Sequence, residues 1–205
     1  VSILENTGAV ILAGGKALRM HGRDKALQLL HGRSLITHVI DNLQRQLPLL
    51  IISVNHNTGL YADFDLPVVR DIKSDYAGPL AGIHAAMNWY RGRSGSEPIT
   101  HLAVFPADVP RFPANTAVLL ASAFKESPGL EISWLQTGEQ LQPLFSMWSM
   151  SLLPELDIAL SRNVYSPMRF IQSRRNRLIQ INRFQADEFV NVNTLSALEA
   201  LEELR

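Results

Sequence analysis

The sequence predicts an α/β fold: a mainly parallel central sheet with helices on both faces and a small antiparallel element in the second half. Three observations predict it. Short apolar runs alternate with helix-period segments over the first two thirds of the chain, as in successive β–α–β units. Those runs stop at glycine or at a polar residue, namely Gly14-Gly15, Asn55, Asp71 and Asp108. Past Leu130 the alternation gives way to two strand-like runs joined by a turn containing Gly138.

Taken in order, Ala9–Ala13 reads as a short buried strand stopped by Gly14-Gly15. Ser34 is placed to cap a helix whose apolar residues Leu35, Ile36, Val39, Ile40 and Leu43 recur with helical spacing. Pro48 follows that helix, Leu49–Val54 is a buried strand, and Asn55-His56-Asn57 is the polar loop at its end. Pro67–Arg70 is a short strand ending at Asp71. Gly78-Pro79 opens a helix with Leu80, Ile83, Met87 and Tyr90 on one side, proline being favourable in a first turn. After a loop over Gly92–Pro98 come a strand at His101–Phe105 and a helix at Ala114–Phe124. Ile132–Leu135 and Leu144–Trp148 are expected to pair antiparallel. Leu152–Leu160 reads as a helix, Ser166-Pro167 as a helix start, Leu178–Ile181 as a strand, and Thr194 as the cap of a last helix.

Composition narrows the function. A chain of 205 residues, 46% hydrophobic, suffices for one domain with a substantial core. Its formal net charge is zero, so bulk attraction to nucleic acid or to an anionic membrane is not indicated. There is no cysteine, which excludes disulfides and thiolate metal sites. The longest apolar stretch, Leu47 to Val54, is too short for a bilayer span, and the expectation is a soluble cytoplasmic protein.

The stretch AVILAGGKALRMHGRDK, residues 9–25, joins a glycine pair to four cations, Lys16, Arg19, Arg23 and Lys25. Glycines let backbone N–H groups approach a ligand, and fixed cations beside them suit a polyphosphate. This makes a nucleoside triphosphate site the first hypothesis, against an ordinary strand-to-loop turn. Neither the Walker nor the G-x-G-x-x-G spacing is present. Asp108 lies in Pro106-Ala107-Asp108-Val109-Pro110, where prolines stiffen the backbone around one carboxylate. Such an Asp at a strand end suits Mg²⁺, which takes one or two carboxylates plus substrate phosphates; a turn or capping Asp is the plainer reading. Asp71 has the same two readings. His38 and His84 are expected on helix surfaces, and no zinc spacing occurs among the histidines. From Arg162 to Arg183 there are six arginines and no acid, either a solvated basic face or a pocket for a small phosphorylated substrate.

Assembled, these stretches resemble the molybdenum cofactor guanylyltransferases, the MobA-type enzymes. The resemblance rests on Leu12-Ala13-Gly14-Gly15-Lys16-Ala17-Leu18-Arg19-Met20 with Asp24-Lys25-Ala26-Leu27, on Asn55-His56-Asn57, Asp71 and Gly78-Pro79-Leu80-Ala81-Gly82, and on Pro106 to Pro110. Gln142-Pro143-Leu144 and Phe189-Val190-Asn191-Val192-Asn193-Thr194 extend it to nearly the whole chain. His21 departs from it, standing where the family commonly has glycine.

The resemblance implies a Rossmann-like nucleotidyltransferase fold in a single domain, residues 1–205. Residues 1–125 would be mainly the nucleotide half and 126–205 mainly the acceptor half. It implies transfer of GMP from MgGTP to molybdenum-bound molybdopterin with release of pyrophosphate. Leu12, Ala13, Gly14, Gly15, Gly22, Lys25, Asn55, Asp71, Gly78 and Asp108 would then be nucleotide-binding. Arg19, Lys25 and Asp108 would be catalytic, Asp108 the Mg²⁺ ligand, and Asn191 and Asn193 acceptor-binding. Expected partners are GTP, the molybdopterin cofactor and transiently the proteins that deliver it or mature molybdoenzymes, without nucleic acid or membrane. The expected state is a monomer or weak oligomer.

Two rivals stand beside this reading. One is a cytidylyltransferase acting on a phosphorylated acceptor. Such enzymes tend to carry Ala-Ala-Gly where this chain has Ala13-Gly14-Gly15, so the missing methyl is a candidate for admitting the larger purine. The other is a non-catalytic adaptor that binds nucleotide or cofactor and releases no pyrophosphate. An RNA-binding module built on the arginine segment is a third, with few aromatics to stack bases.

Overall fold

The computed structural model describes residues 3–14, 24–70, 78–93 and 98–181, together with 189, 192 and 198. Gly15, Arg19, Gly22, Asp71, Asn191 and Asn193 lie outside the described residues, as does all but Leu198 of the expected last helix.

Seven strands form one sheet: β1 (Thr7–Leu12), β4 (Leu49–Val54), β5 (Val68–Arg70), β6 (His101–Pro106), β7 (Ile132–Thr137), β8 (Gln140–Ser149) and β9 (Asn176–Ile181), in the order β5-β4-β1-β6-β8-β7-β9. β2 (Leu29–Leu30) and β3 (Arg33–Ser34) make a separate small hairpin. β5, β4, β1 and β6 run parallel, β8 is antiparallel to both neighbours, and β7 pairs parallel with β9. The second-half antiparallel element is thus the β7–β8 hairpin, inserted into the main sheet.

Period-2 alternation on the inner strands divides the core into two layers. On one face Ala9, Ile11, Ile52 and Phe105 meet α1 (Leu35–Gln44) and α3 (Thr116–Glu126) through Ile36, Val39, Leu43 and Leu120. On the other, Val10, Ile51, Val104 and Trp148 meet α2 (Gly78–Arg91), α4 (Leu153–Ser161) and α5 (Pro167–Ile171) through Leu80, Ile83, Leu156 and Phe170. Because both faces are covered, β1, β4 and β6 read as almost unbroken apolar runs. No helix among the described residues is long and apolar enough to cross a membrane.

The elements depart from the expected bounds mostly at their ends. β1 begins at Thr7, whose hydroxyl donates to the Ile3 carbonyl at 2.7 Å, and ends at Leu12. α3 starts at Thr116, whose hydroxyl donates to the Pro113 carbonyl at 2.6 Å. Ser34 does precede α1, yet its hydroxyl meets Thr37 Oγ1 at 2.6 Å and caps no backbone N–H. Ser166 caps α5 as expected, accepting from Arg169 N–H at 3.3 Å. His38 and His84 lie on α1 and α2, partly exposed, and each has a partner. His38 Nε2 lies 3.0 Å from the Leu30 carbonyl, and His84 Nε2 lies 2.6 Å from Asp157, tying α2 to α4.

Tyr90 fastens α2 to the centre of the sheet. Its hydroxyl accepts from Ala9 N–H at 3.1 Å and faces the carbonyls of Ala9 and Leu49 at 2.9 and 3.0 Å, sharing one proton between them. Burial pushes this phenol well above its ordinary range, so it stays protonated. Tyr90→Phe removes these bonds from buried backbone groups and is expected to cost about 1–3 kcal/mol in urea unfolding. An unchanged unfolding midpoint would contradict that.

Candidate functional site

The strand order reverses at β1: the chain moves outward through β4 to β5, then returns to β1's other side as β6. In open α/β sheets ligands bind beyond the carboxyl ends of strands at such a switch point. Here the adjacent ends are Leu12-Ala13-Gly14 and Pro106-Ala107-Asp108. They are tied by Ala107 N–H donating to the Leu12 carbonyl at 3.1 Å, while Ala13 N–H donates to Ser53 at 2.9 Å.

A crevice of about 190 Å³ opens there, lined by Leu12, Ala13, Gly14, Lys25, Ala26, Pro79, Pro106, Ala107, Asp108 and Leu144. Lys25 reaches it from a short 3₁₀ turn, Lys25–Leu27, and Asp24 caps that turn by accepting from Ala26 N–H at 3.2 Å. Lys25 Nζ meets Asp108 Oδ2 at 2.5 Å across 83 residues of sequence. The other carboxylate oxygen of Asp108 makes no hydrogen bond among the described residues.

Two further candidates flank the crevice. The Asn55 side chain, at the end of β4, lies against Gly14: a Cβ built on Gly14 would sit 2.5 Å from Asn55 Oδ1 and 2.8 Å from its Cγ. The space left by the missing methyl is therefore taken by an amide of this chain. Gly78 opens α2 at φ +69°, and a Cβ there would be 3.1 Å from the Tyr165 carbonyl, so position and conformation both select glycine. The next residue, Pro79, reaches the crevice wall.

The C-terminal motif is joined to the same place. Val192, between Asn191 and Asn193, donates its N–H to the Asp108 carbonyl at 3.0 Å and is fully buried with Leu30, Leu35 and Leu198. Leu144 is a lining residue that sequence reasoning placed in a motif without giving it a role. Its position comes from a bulge: Trp134 pairs with Ser146 but Leu135 pairs with Gln142, so Pro143 to Phe145 are extra. A proline in a strand was the available clue.

Among the described residues, the arginine segment does not gather into one basic pocket. Arg175 and Arg177 pair with Glu131 at 3.7 Å and Glu126 at 2.8 Å, whereas Arg162, Arg169 and Arg174 line a groove between α4 and α5 that shares no residue with the crevice.

A switch-point crevice with a close backbone approach, a lysine and a strand-end aspartate suits a nucleotidyltransferase, and the family match shows that this is the class. Residues 9–178 match the family described as the MobA-like NTP transferase domain, and this chain belongs to that family. It is 33% identical over 201 residues to the molybdenum cofactor guanylyltransferase of Yersinia pestis strain Pestoides F, covering 98% of this chain and 97% of that one. Among solved structures it resembles molybdopterin-guanine dinucleotide biosynthesis protein A from Archaeoglobus fulgidus, with a TM-score of 0.76, 21% identity and 97% of each chain covered. It also resembles a CMP:2-keto-3-deoxy-manno-octonic acid synthetase complexed with CTP, with a TM-score of 0.70, 12% identity and 97% of each chain covered. These structural likenesses place the fold among Rossmann-like nucleotidyltransferases.

Proposed function

We propose that this enzyme transfers GMP from MgGTP to the terminal phosphate of molybdenum-bound molybdopterin, forming the guanine dinucleotide cofactor and releasing pyrophosphate. The observation that carries the reading is the meeting of Gly14, Lys25 and Asp108 in the switch-point crevice of a chain 33% identical to a guanylyltransferase. An acceptor phosphate oxygen attacks the α-phosphorus, and the bond from that phosphorus to the bridging oxygen of the leaving pyrophosphate breaks. The attacking oxygen is already anionic, so no strong general base is needed. The barrier lies in bringing two anions together in line, and orientation alone supplies ~7–11 kcal/mol in well-placed systems.

The chain's own groups fit that task. The backbone at Leu12–Gly14 receives the nucleotide, with Asn55 and Gly78 on its flanks. Lys25 places an ammonium where the triphosphate would lie. Asp108 suits Mg²⁺: one oxygen is held only by a displaceable lysine, and this ion needs few protein carboxylates. Bound there, Mg²⁺ would neutralise charge on the triphosphate and the departing pyrophosphate. Arg19, Gly15, Gly22 and Asp71 belong to the same proposal on the nucleotide side, and Asn191 and Asn193 on the acceptor side.

Lys25 also serves the free enzyme as the counter-ion of Asp108, with the two side chains 23% and 30% exposed. Lys25→Ala should therefore act in opposite directions on two ligands. Mn²⁺ alone should bind about two- to fivefold more tightly, the range an exposed ion pair is worth, while MgGTP binds more weakly. Titration calorimetry with Mn²⁺ and with MgGTP measures both, and weaker Mn²⁺ binding in the variant would reject the counter-ion role.

The test of the function is pyrophosphate release from GTP in the presence of molybdopterin-bearing carrier. Nucleotide binding without release would favour an adaptor. Preferential binding of MgCTP over MgGTP would reject the guanine assignment.

A further inference from the structure

We propose that the groove between α4 and α5 is a second ligand site, selective for a phosphate monoester that carries a free hydroxyl. The groove has a volume of about 210 Å³ and is lined by Glu155, Arg162, Arg169, Phe170, Ser173 and Arg174 among others. Arg175 and Arg177, in the same basic stretch, are matched to glutamates. Arg162, Arg169 and Arg174 pair with no acid among the described residues, and all three face one groove. Three unmatched guanidiniums around one small space favour a dianion, which accepts their forked N–H donors.

Arg174 is the most committed of the three. Its guanidinium is stacked over the Phe170 ring, 4.8 Å from the centroid, which restricts its orientation. Its Nε is buried and has no hydrogen-bond partner. A buried N–H left unpaired costs free energy that an oxyanion oxygen would restore. Ser173 does not add a donor for the phosphate, since its own hydroxyl hydrogen goes to the Phe170 carbonyl at 2.7 Å.

Glu155 supplies the selectivity. Its side chain lines the groove, its Oε2 is buried without a partner, and it forms no ion pair with Arg174. A plain alkyl phosphate dianion, such as ethyl phosphate, has no O–H and offers this carboxylate only like charge. An O–H on the same molecule donates to it, while the phosphate engages the arginines. The ligand chemistry is therefore a hydroxylated phosphomonoester, for which glycerol 3-phosphate is a minimal probe.

The test follows the arginine Nε–H signals in ¹H–¹⁵N spectra of the whole protein, where burial of Arg174 Nε slows its exchange with water. Glycerol 3-phosphate should shift the Arg174 signal saturably, ethyl phosphate in its dianionic form should bind more weakly, and glycerol should do nothing. Arg169→Gln should weaken glycerol 3-phosphate binding about tenfold, the loss expected for one hydrogen bond to a charged group. Arg174→Gln should do the same by calorimetry. Glu155→Gln should weaken glycerol 3-phosphate and strengthen ethyl phosphate, an inversion that general unfolding cannot produce. Lys25→Ala should leave the titration unchanged, which separates this groove from the crevice. Absence of a saturable shift, binding that survives both arginine changes, or binding lost with Lys25→Ala overturns the site. Equal affinity for ethyl phosphate and the glycerol ester overturns the hydroxyl selectivity.

Discussion

Asp108→Asn is expected to lower GMP transfer by about a hundred- to a thousandfold, the loss seen when one preorganised electrostatic group is removed from an active site, while leaving the fold intact. The two halves of the prediction rest on different atoms. The backbone of Asp108 holds the site together: its carbonyl accepts from Val192, and the neighbouring Ala107 N–H donates to Leu12. Asparagine keeps those bonds and the side-chain volume. What it loses is charge, and with charge both the ion pair to Lys25 and the capacity to hold a divalent cation. The pair is partly exposed, so its contribution to stability is small and the melting temperature should move little. Pyrophosphate release measured alongside a thermal melt separates the effects. Turnover close to that of the parent, in a variant that melts normally, would remove Asp108 from the chemistry.

What was legible in the sequence was local. The central strands announced themselves because burial on both faces demands an unbroken apolar run, and α1 and α2 because one buried face demands helical spacing. The strand ends followed, and with them the placing of Gly14, Asn55 and Asp108. What was not legible depended on which strands become neighbours. The 2.5 Å pair of Lys25 with Asp108 spans 83 residues, and no period links them. The bond from Val192 to Asp108 exists only because the chain returns after β9. The insertion of β8 between β6 and β7 is a choice of sheet order that the strands' own composition does not encode. The arginine stretch looked like one basic surface because sequence records proximity along the chain. Glu126 and Glu131, which match Arg177 and Arg175, arrive from α3 and the approach to β7.

Gly14→Ala should raise the KM for GTP by up to about tenfold, the worth of a hydrogen bond lost from a bound ligand, with kcat and melting temperature little changed. The cause is a side chain, since the backbone at Gly14 is not among those at positive φ and accepts an L residue. The new methyl would stand 2.5 Å from Asn55 Oδ1 and 2.8 Å from its Cγ, closer than these atoms can pack. Asn55 is half-buried in the loop after β4, so its side chain is expected to swing aside at little cost to the fold, and on the proposed function its amide then no longer faces the nucleotide. Asn55→Ala removes both the obstruction and the contact, and alone should raise KM by a similar factor. The double variant should then be no worse than either single one, a strongly non-additive cycle. If the methyl instead blocked the purine itself, Asn55→Ala would not relieve it, the two losses would multiply, and CTP would gain on GTP in the Gly14→Ala enzyme. Steady-state kinetics with both nucleotides on the three variants therefore distinguishes a glycine kept to seat Asn55 from one kept to admit a base.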